Sequence, residues 1–128
     1  MDYTLKNLGT VEDSAPKFGF SETQEAHFAR TDLGAEKTGL SYHVVKAGKR
    51  QAFGHRHDKA EEIYVVLSGK GRMRLGDDIV DIAPMDAIRV APHVLRSFEA
   101  GSEPLELLAF GEHPEGDNGE VVQDFWTD

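Results

Sequence analysis

The stretch GHRHDKAEEIYVVLSGKG, residues 54–71, holds two histidines one residue apart, the acidic pair Glu61 and Glu62, and an aliphatic run that stops at Gly69. Side chains of an extended chain alternate between faces, so His55 and His57 share a face if this segment is a strand. Their imidazoles can then converge on one ion at roughly 2.0 to 2.2 Å. Glu62 opens the following run, across a turn containing Asp58 and Lys59. Two histidines and a carboxylate on neighbouring strands make a facial triad with open coordination positions, a set that suits iron(II) and also accepts manganese, zinc or nickel. Glu61 is the rival carboxylate. Tyr64 and Val66 share the face of Glu62, whereas Ile63 and Val65 share that of Glu61, so only one of the two acids can look into a barrel.

The same texture extends outward from this stretch. After Gly39 come the runs LSYHVV (40–45), EIYVVL (62–67), GRMRL (71–75), DIVDI (78–82), AIRVA (87–91), VLRSF (94–98) and PLELLAF (104–110), divided by Gly, Pro, Asp and Ser. Short β-favouring runs broken by turn residues every 8 to 12 positions or so predict an antiparallel all-β sandwich or barrel of roughly eight strands. Gly69-Lys70-Gly71 reads as a hairpin turn without P-loop spacing. Arg72 and Arg74 alternate with Met73 and Leu75, which predicts arginines facing solvent. Upstream, residues 1–20 are expected to wrap an edge or add one strand. SETQEAHFARTDLG (21–34) predicts a short helix, with Ser21 as N-cap, Gln24 completing a capping box, Gly34 as the stop, and His27 and Arg30 on the solvated side. His43, in a valine-rich run, and His113, in the tail, read as packing residues rather than ligands. The tail from Gly111 to Gly119 has loop composition, and Val121, Val122, Phe125 and Trp126 form an apolar cluster expected on the barrel's outside or on a second subunit.

A chain of 128 residues with 39% hydrophobic and 29% charged side chains suits one soluble globular domain with its own core. With 23 acidic against 14 basic side chains the net charge is -9, which disfavours nucleic acid and anionic membrane surfaces as partners. The absence of cysteine removes disulfides, thiolate zinc sites and cysteine nucleophiles. The opening MDYTLK lacks the basic start and apolar run of a signal peptide, and no run of 18 apolar residues occurs, so a soluble cytoplasmic protein is expected.

The chain resembles the cupins, small barrels also called double-stranded β-helices. Their first motif reads as a glycine, H-x-H, three or four residues, E, six residues and G. His55, His57, Glu62 and Gly69 match it, with Gly54 directly before His55 rather than further upstream. The resemblance therefore selects Glu62 over Glu61. The second motif, G-D, a hydrophobic strand and P-x-G-x-x-H, is represented by Met85-Asp86, Ala87 to Val90, and Ala91-Pro92-His93-Val94-Leu95-Arg96. His93 thus stands at the turn glycine, and Arg96 at the fourth metal ligand. The resemblance implies an all-β, cupin-type double-stranded β-helix (jelly-roll barrel) with a short N-terminal helix. It places a single domain over 1–128, with the barrel core at about 40–110, a strand and helix segment over 1–39 and a tail over 111–128.

Arginine stays protonated and has no lone pair to give a metal. If Arg96 points inward as the family's histidine does, at about 4.5 Å and an effective dielectric of about 20, its charge costs a bound dication roughly 7 kcal/mol. Two arrangements follow. In one, His55, His57 and Glu62 hold a divalent first-row transition metal (iron, manganese, zinc or nickel) and Arg96 orients an acidic substrate. In the other, Arg96 pairs with Glu62 in a bidentate fork, no metal binds, and His55 and His57 take an anion or polar ligand. His93 can replace the missing histidine only through a shift of its turn. Tyr64 and Phe98, on the interior face with Glu62 and Arg96, are expected as pocket walls. The resemblance accordingly implies a small-molecule pocket in the barrel mouth, bounded by Tyr64, His93, Arg96 and Phe98 and serving a dioxygenase, decarboxylase or isomerase, a metal-free module in which Arg96, His55 and His57 capture a small anion, or a non-catalytic domain. It also implies a homodimer joined through edge strands.

Overall fold

The alternating runs fold into two antiparallel five-stranded sheets in a computed structural model that describes residues 1–112 and 114–128; His113 lies outside the described residues. The strands are β1 (Gln24–Phe28), β2 (Thr38–Val45), β3 (Phe53–His57), β4 (Glu62–Ser68), β5 (Gly71–Leu75), β6 (Asp78–Ile82), β7 (Ala87–Val90), β8 (Arg96–Ala100), β9 (Leu105–Glu112) and β10 (Gly119–Gln123). One sheet has the order β1-β2-β9-β4-β7 and the other β10-β3-β8-β5-β6. This is the jelly-roll architecture, and no helix among the described residues is long and apolar enough to cross a membrane.

Every second residue of the central strands faces inward: Tyr64 and Val66 from β4, Phe98 and Ala100 from β8, and Leu105, Leu107 and Ala109 from β9 are all buried. With Met73, Ile82 and Val90 they fill the interior beside β5, β6 and β7. Burying each large apolar side chain contributes roughly 1.5–3 kcal/mol. The other half of the interior, beside β1, β3 and β10, stays hollow, leaving a cavity of about 530 Å³. The turn at Gly69, read from the sequence as a hairpin, instead carries the chain from β4 in one sheet to β5 in the other; it requires φ +79°, and a Cβ there would lie 2.1 Å from the Pro104 carbonyl oxygen, so only glycine fits.

The segment expected as a helix over 21–34 is instead a strand followed by one helical turn. β1 pairs along its whole length with β2, from Gln24↔Val45 to Phe28↔Ser41, and only Arg30–Leu33 is helical, closed by Gly34 at φ 66°. Glutamine, glutamate and alanine favour helix locally, but backbone pairing and burial of one face override that weak preference. His27, expected in solvent, is buried, with Nδ1 bonded to the Val11 carbonyl at 2.7 Å and Nε2 to Glu25 at 2.9 Å. The first twenty residues form two short 3-10 turns, Leu8–Thr10 and Ala15–Phe18. Asp13 Oδ1 accepts from the Ala15 and Ala26 amides at 2.9 Å each and so fastens this segment to β1.

The tail also differs from a plain loop. β10 pairs with β3 in the register Gly119↔His57, Val121↔His55 and Gln123↔Phe53. Phe125 then sits on Gly54, where a Cβ would approach its ring to 2.6 Å. Trp126 donates from Nε1 to Ser97 Oγ at 3.0 Å and lies under the guanidinium of Arg50. Phe125 and Trp126 therefore pack on the outer face of their own barrel, whereas Val121 of the same cluster borders the main cavity. That covering corrects the reading of Arg72 and Arg74 as solvent-facing. Arg74 stacks on the Phe125 ring and donates to its carbonyl, and Arg72 pairs with Glu99 and Asp128.

Candidate metal centre

β3 and β4 run in opposite sheets, and their facing ends bring His55, His57 and Glu62 together: one donor atom from each lies within 4.8 Å of the other two. Parity acts as the sequence requires, since Glu61 is turned outward and pairs with Arg89 at 3.0 Å. The hub is one carboxylate oxygen, Glu62 Oε1. It lies 3.1 Å from His57 Nε2 and 3.6 Å from His55 Nε2, and accepts from the Tyr64 hydroxyl at 2.7 Å and from Arg96 Nη1 at 3.2 Å. Burial alone would raise the Glu62 carboxyl, but hydrogen bonding with His55, His57 and Tyr64 outweighs it and holds the group well below the usual carboxylate range. Burial pushes the Tyr64 hydroxyl well up, so it stays a neutral donor.

Asp117 completes the surroundings of His57. Its Oδ2 lies 3.0 Å from His57 Nδ1, while its Oδ1 accepts from the Lys59 amide at 2.7 Å. A carboxylate on the outer nitrogen fixes the ring and directs Nε2 toward Glu62, the usual support for a metal-bound imidazole. Hydrogen bonding to Glu62 raises the His57 pKa, against the opposing effect of burial. Nothing in the sequence marks Asp117, which sits 60 residues beyond its partner in a loop of turn-forming residues.

Arg96 opens β8 directly opposite His55 on β3 and is fully buried, with 0% of its surface exposed. Nη1 bonds Glu62, Nη2 donates to the Ala91 carbonyl at 2.8 Å, and Nε has no partner. The pairing expected as a bidentate fork is therefore a single bond to the carboxylate plus one to the backbone. The other residues read from the sequence divide. Tyr64 and Phe98 line the cavity with their rings 5.0 Å apart, whereas His93 is exposed on its turn and borders no described cavity.

His55, His57 and Glu62 form one wall of the main cavity, whose other sides carry Phe18, Phe20, Phe28 and Phe53. A second hollow of about 500 Å³ meets it at His57 and Glu62 and extends to Arg30, which is thus half-buried rather than solvated. His43, read as a packing residue, lines the main cavity too. Its Nε2 lies 2.8 Å from Ser41 Oγ, and burial lowers its pKa to about 4. The chemistry of the set fits a divalent ion with three protein ligands: two imidazole nitrogens and one ionised carboxylate, open toward a cavity. It does not fit a fourth protein ligand, because that place belongs to a guanidinium.

A family profile described as a cupin domain matches residues 41–111. The chain is a cupin. Among curated proteins it is similar to an uncharacterized protein of Methanocaldococcus jannaschii, 32% identical over 73 residues that make up 56% of this chain. The match spans 58% of that relative's length. Among solved structures, the polyketide cyclase RemF of Streptomyces resistomycificus superposes with a TM-score of 0.76 at 16% identity, over 99% of this chain and 89% of that one. A cupin protein of Bacteroides fragilis gives 0.72 at 22%, over 100% and 98%. A variant of Bacillus subtilis oxalate decarboxylase gives 0.72 at 20%, over 88% of this cupin and 31% of that chain. At these identities the superpositions establish the barrel, not the chemistry.

Proposed function

We propose that this cupin is a metal-dependent enzyme acting on a small metabolite held in the main cavity, with a divalent first-row metal on His55, His57 and Glu62. The observation that carries this reading is the convergence of the three donors within 4.8 Å on the wall of a cavity large enough for a metabolite. A metal bound there supplies Lewis acidity toward a carbonyl or hydroxyl of the substrate, and its identity among iron, manganese, zinc and nickel stays open to the same ligands. The protein's own groups do the rest. Tyr64 and Arg96 hold the Glu62 carboxylate in place, Asp117 orients His57, and the phenylalanine rings bind the apolar part of the substrate. The polyketide cyclase and oxalate decarboxylase that share the barrel are of the small-molecule class this reading assigns.

The test is elemental analysis of protein purified without a chelating tag, before and after reconstitution with each of the four metals. The expected result is close to stoichiometric metal in the wild type, about one ion per chain as in other catalytic sites with three protein ligands, and loss of it in His55→Ala. A wild type that takes up none of the four after reconstitution overturns the reading. In that event the second reading stands, a metal-free binding module. It is favoured by one observation, the bond that Arg96 already makes to the candidate carboxylate. In that module the ligand meets His55 and His57 and not Arg96, whose guanidinium is shut away from solvent.

A further inference from the structure

Away from the His55, His57 and Glu62 wall, the main cavity is bordered by a small number of polar side chains, and most of them are satisfied within the protein. Gln51 Oε1 accepts from the Phe98 amide at 3.1 Å, and Ser41 Oγ is bonded to His43 Nε2 at 2.8 Å. Two polar atoms are left over. Gln24 Oε1 and His43 Nδ1 are buried without any partner, and Gln24 as a whole is only 4% exposed. Buried polar atoms are nearly always hydrogen-bonded in native proteins, so each exception asks for a missing partner. These two are neighbours. The β1–β2 register pairs Gln24 with Val45 and Ala26 with His43, which puts both side chains on the inner face, one pair apart. Phe28 stands next in line, its ring edge-on to that of His43 at 5.8 Å.

The remaining lining restricts what that partner can be. Phe18, Phe20, Phe28, Phe53 and Phe98 give the cavity aromatic walls, and among the described residues no lysine or arginine lines it. Away from the His55, His57 and Glu62 wall, an anion set among these rings would meet no compensating cation. A flat, uncharged aromatic body loses nothing there, and a hydroxyl on its rim can donate to the orphaned amide oxygen.

We propose that Gln24 and His43 form a second recognition point in the cavity, which accepts a hydroxyl of an uncharged, flat aromatic ligand whose far side reaches His55, His57 and Glu62. The proposal rests on the reading of this cavity as the ligand site and adds to it the ligand class and the residues that select it.

The probes are 2-naphthol, naphthalene and 2-naphthoate, titrated by their own fluorescence at neutral pH against the wild type, Gln24→Leu and His43→Phe. Gln24→Leu keeps the side-chain size and removes the orphaned atom, and an unchanged or higher melting temperature shows that it folds. The wild type is expected to bind 2-naphthol, and, when stripped of metal so that no ion on His55, His57 and Glu62 can take a carboxylate, to bind 2-naphthoate much more weakly. In Gln24→Leu the naphthol affinity should fall about tenfold, the equivalent of roughly 1.4 kcal/mol, while that for naphthalene changes by less than about threefold. His43→Phe should shift the two probes in the same unequal way. Naphthol binding that is the same in Gln24→Leu and the wild type, or a loss shared equally by naphthol and naphthalene, overturns the recognition point and leaves the metal reading intact. Failure of the wild type to bind any of the three aromatics overturns the ligand class. The metal reading is judged separately, by metal content and the His55→Ala variant.

Discussion

Arg96 sets the character of the candidate centre. Its guanidinium cannot lose its proton or donate a lone pair, and with a single bond to Glu62 it keeps a fixed positive charge beside the oxygen that a metal would need. Glu62 answers that charge, so a bound dication meets a set that is electrostatically poorer than three free ligands. Replacing Arg96 with histidine removes the charge and restores a neutral donor at the start of β8. Arg96→His is therefore expected to tighten binding of zinc or manganese by at least about tenfold, since each factor of ten needs only about 1.4 kcal/mol of the repulsion to be relieved. Competition titration with a chromophoric chelator measures it. Equal affinity in the two proteins would mean that the guanidinium has no electrostatic bearing on the three ligands.

At the scale of single elements, local chemistry and tertiary demand disagree most plainly in the turn between β6 and β7. Met85 adopts φ 75°, a left-handed conformation, while 84% of its surface is exposed. The turn is held from outside the residue. The Met85 amide donates to the Val66 carbonyl at 2.9 Å, and Asp86 Oδ2 accepts from the Ala83 amide at 2.9 Å. A side chain in this region costs roughly 1–2 kcal/mol, of which glycine would return part while losing up to about 1 kcal/mol through its freer unfolded chain. Met85→Gly should stabilise the protein by about 0.5–1 kcal/mol in urea denaturation; a less stable variant would show that the methionine makes a contact worth more than the strain. The strands themselves divide by the same criterion. β2 and the strands from β4 to β9 lie where the alternating runs put them, because one buried face imposes a period of two on the sequence. β1 and β10 follow no such signal. The first is written in helix-forming residues and the second in an acidic, glycine-flanked tail, and each owes its conformation to the strand it joins.

For the whole molecule, two histidines on adjacent strands, His27 and His43, give stability opposite dependences on pH. His27 faces outward from β1, and its bonds to Val11 and Glu25 raise its pKa although burial acts the other way. Its contribution is complete below the unfolded value of about 6.5 and is lost as pH climbs through the higher folded value. His43, inside the cavity, is held down to about 4 by burial, so the unfolded chain takes up the proton first. Its contribution is complete above about 6.5 and erodes as pH falls from there toward 4. The carboxyls of Glu62, Glu99, Asp117 and Asp128 all lie below their ordinary values in the fold, so their contributions decline only at still lower pH. The melting temperature is expected to peak near neutrality, and His43→Phe should flatten its decline between pH 6.5 and 4. An unaltered slope in that variant would assign the decline to other groups.

The sequence by itself determined most of the barrel strands and the shared face of His55 and His57, because each depends on alternation within a few residues; alternation turned only one of Glu61 and Glu62 inward, and the resemblance to the cupin motif chose Glu62. It also put an unligatable cation at Arg96. Tertiary structure alone decided where that cation's bonds go, that His93 stays on the surface, and that Asp117 returns from the tail to brace His57. It alone placed Gln24 and His43, a helix former and a strand histidine, side by side in an aromatic cavity. Those outcomes depend on which distant strands pair and in what register, and backbone pairing across tens of residues leaves no periodic trace in the side chains it brings together.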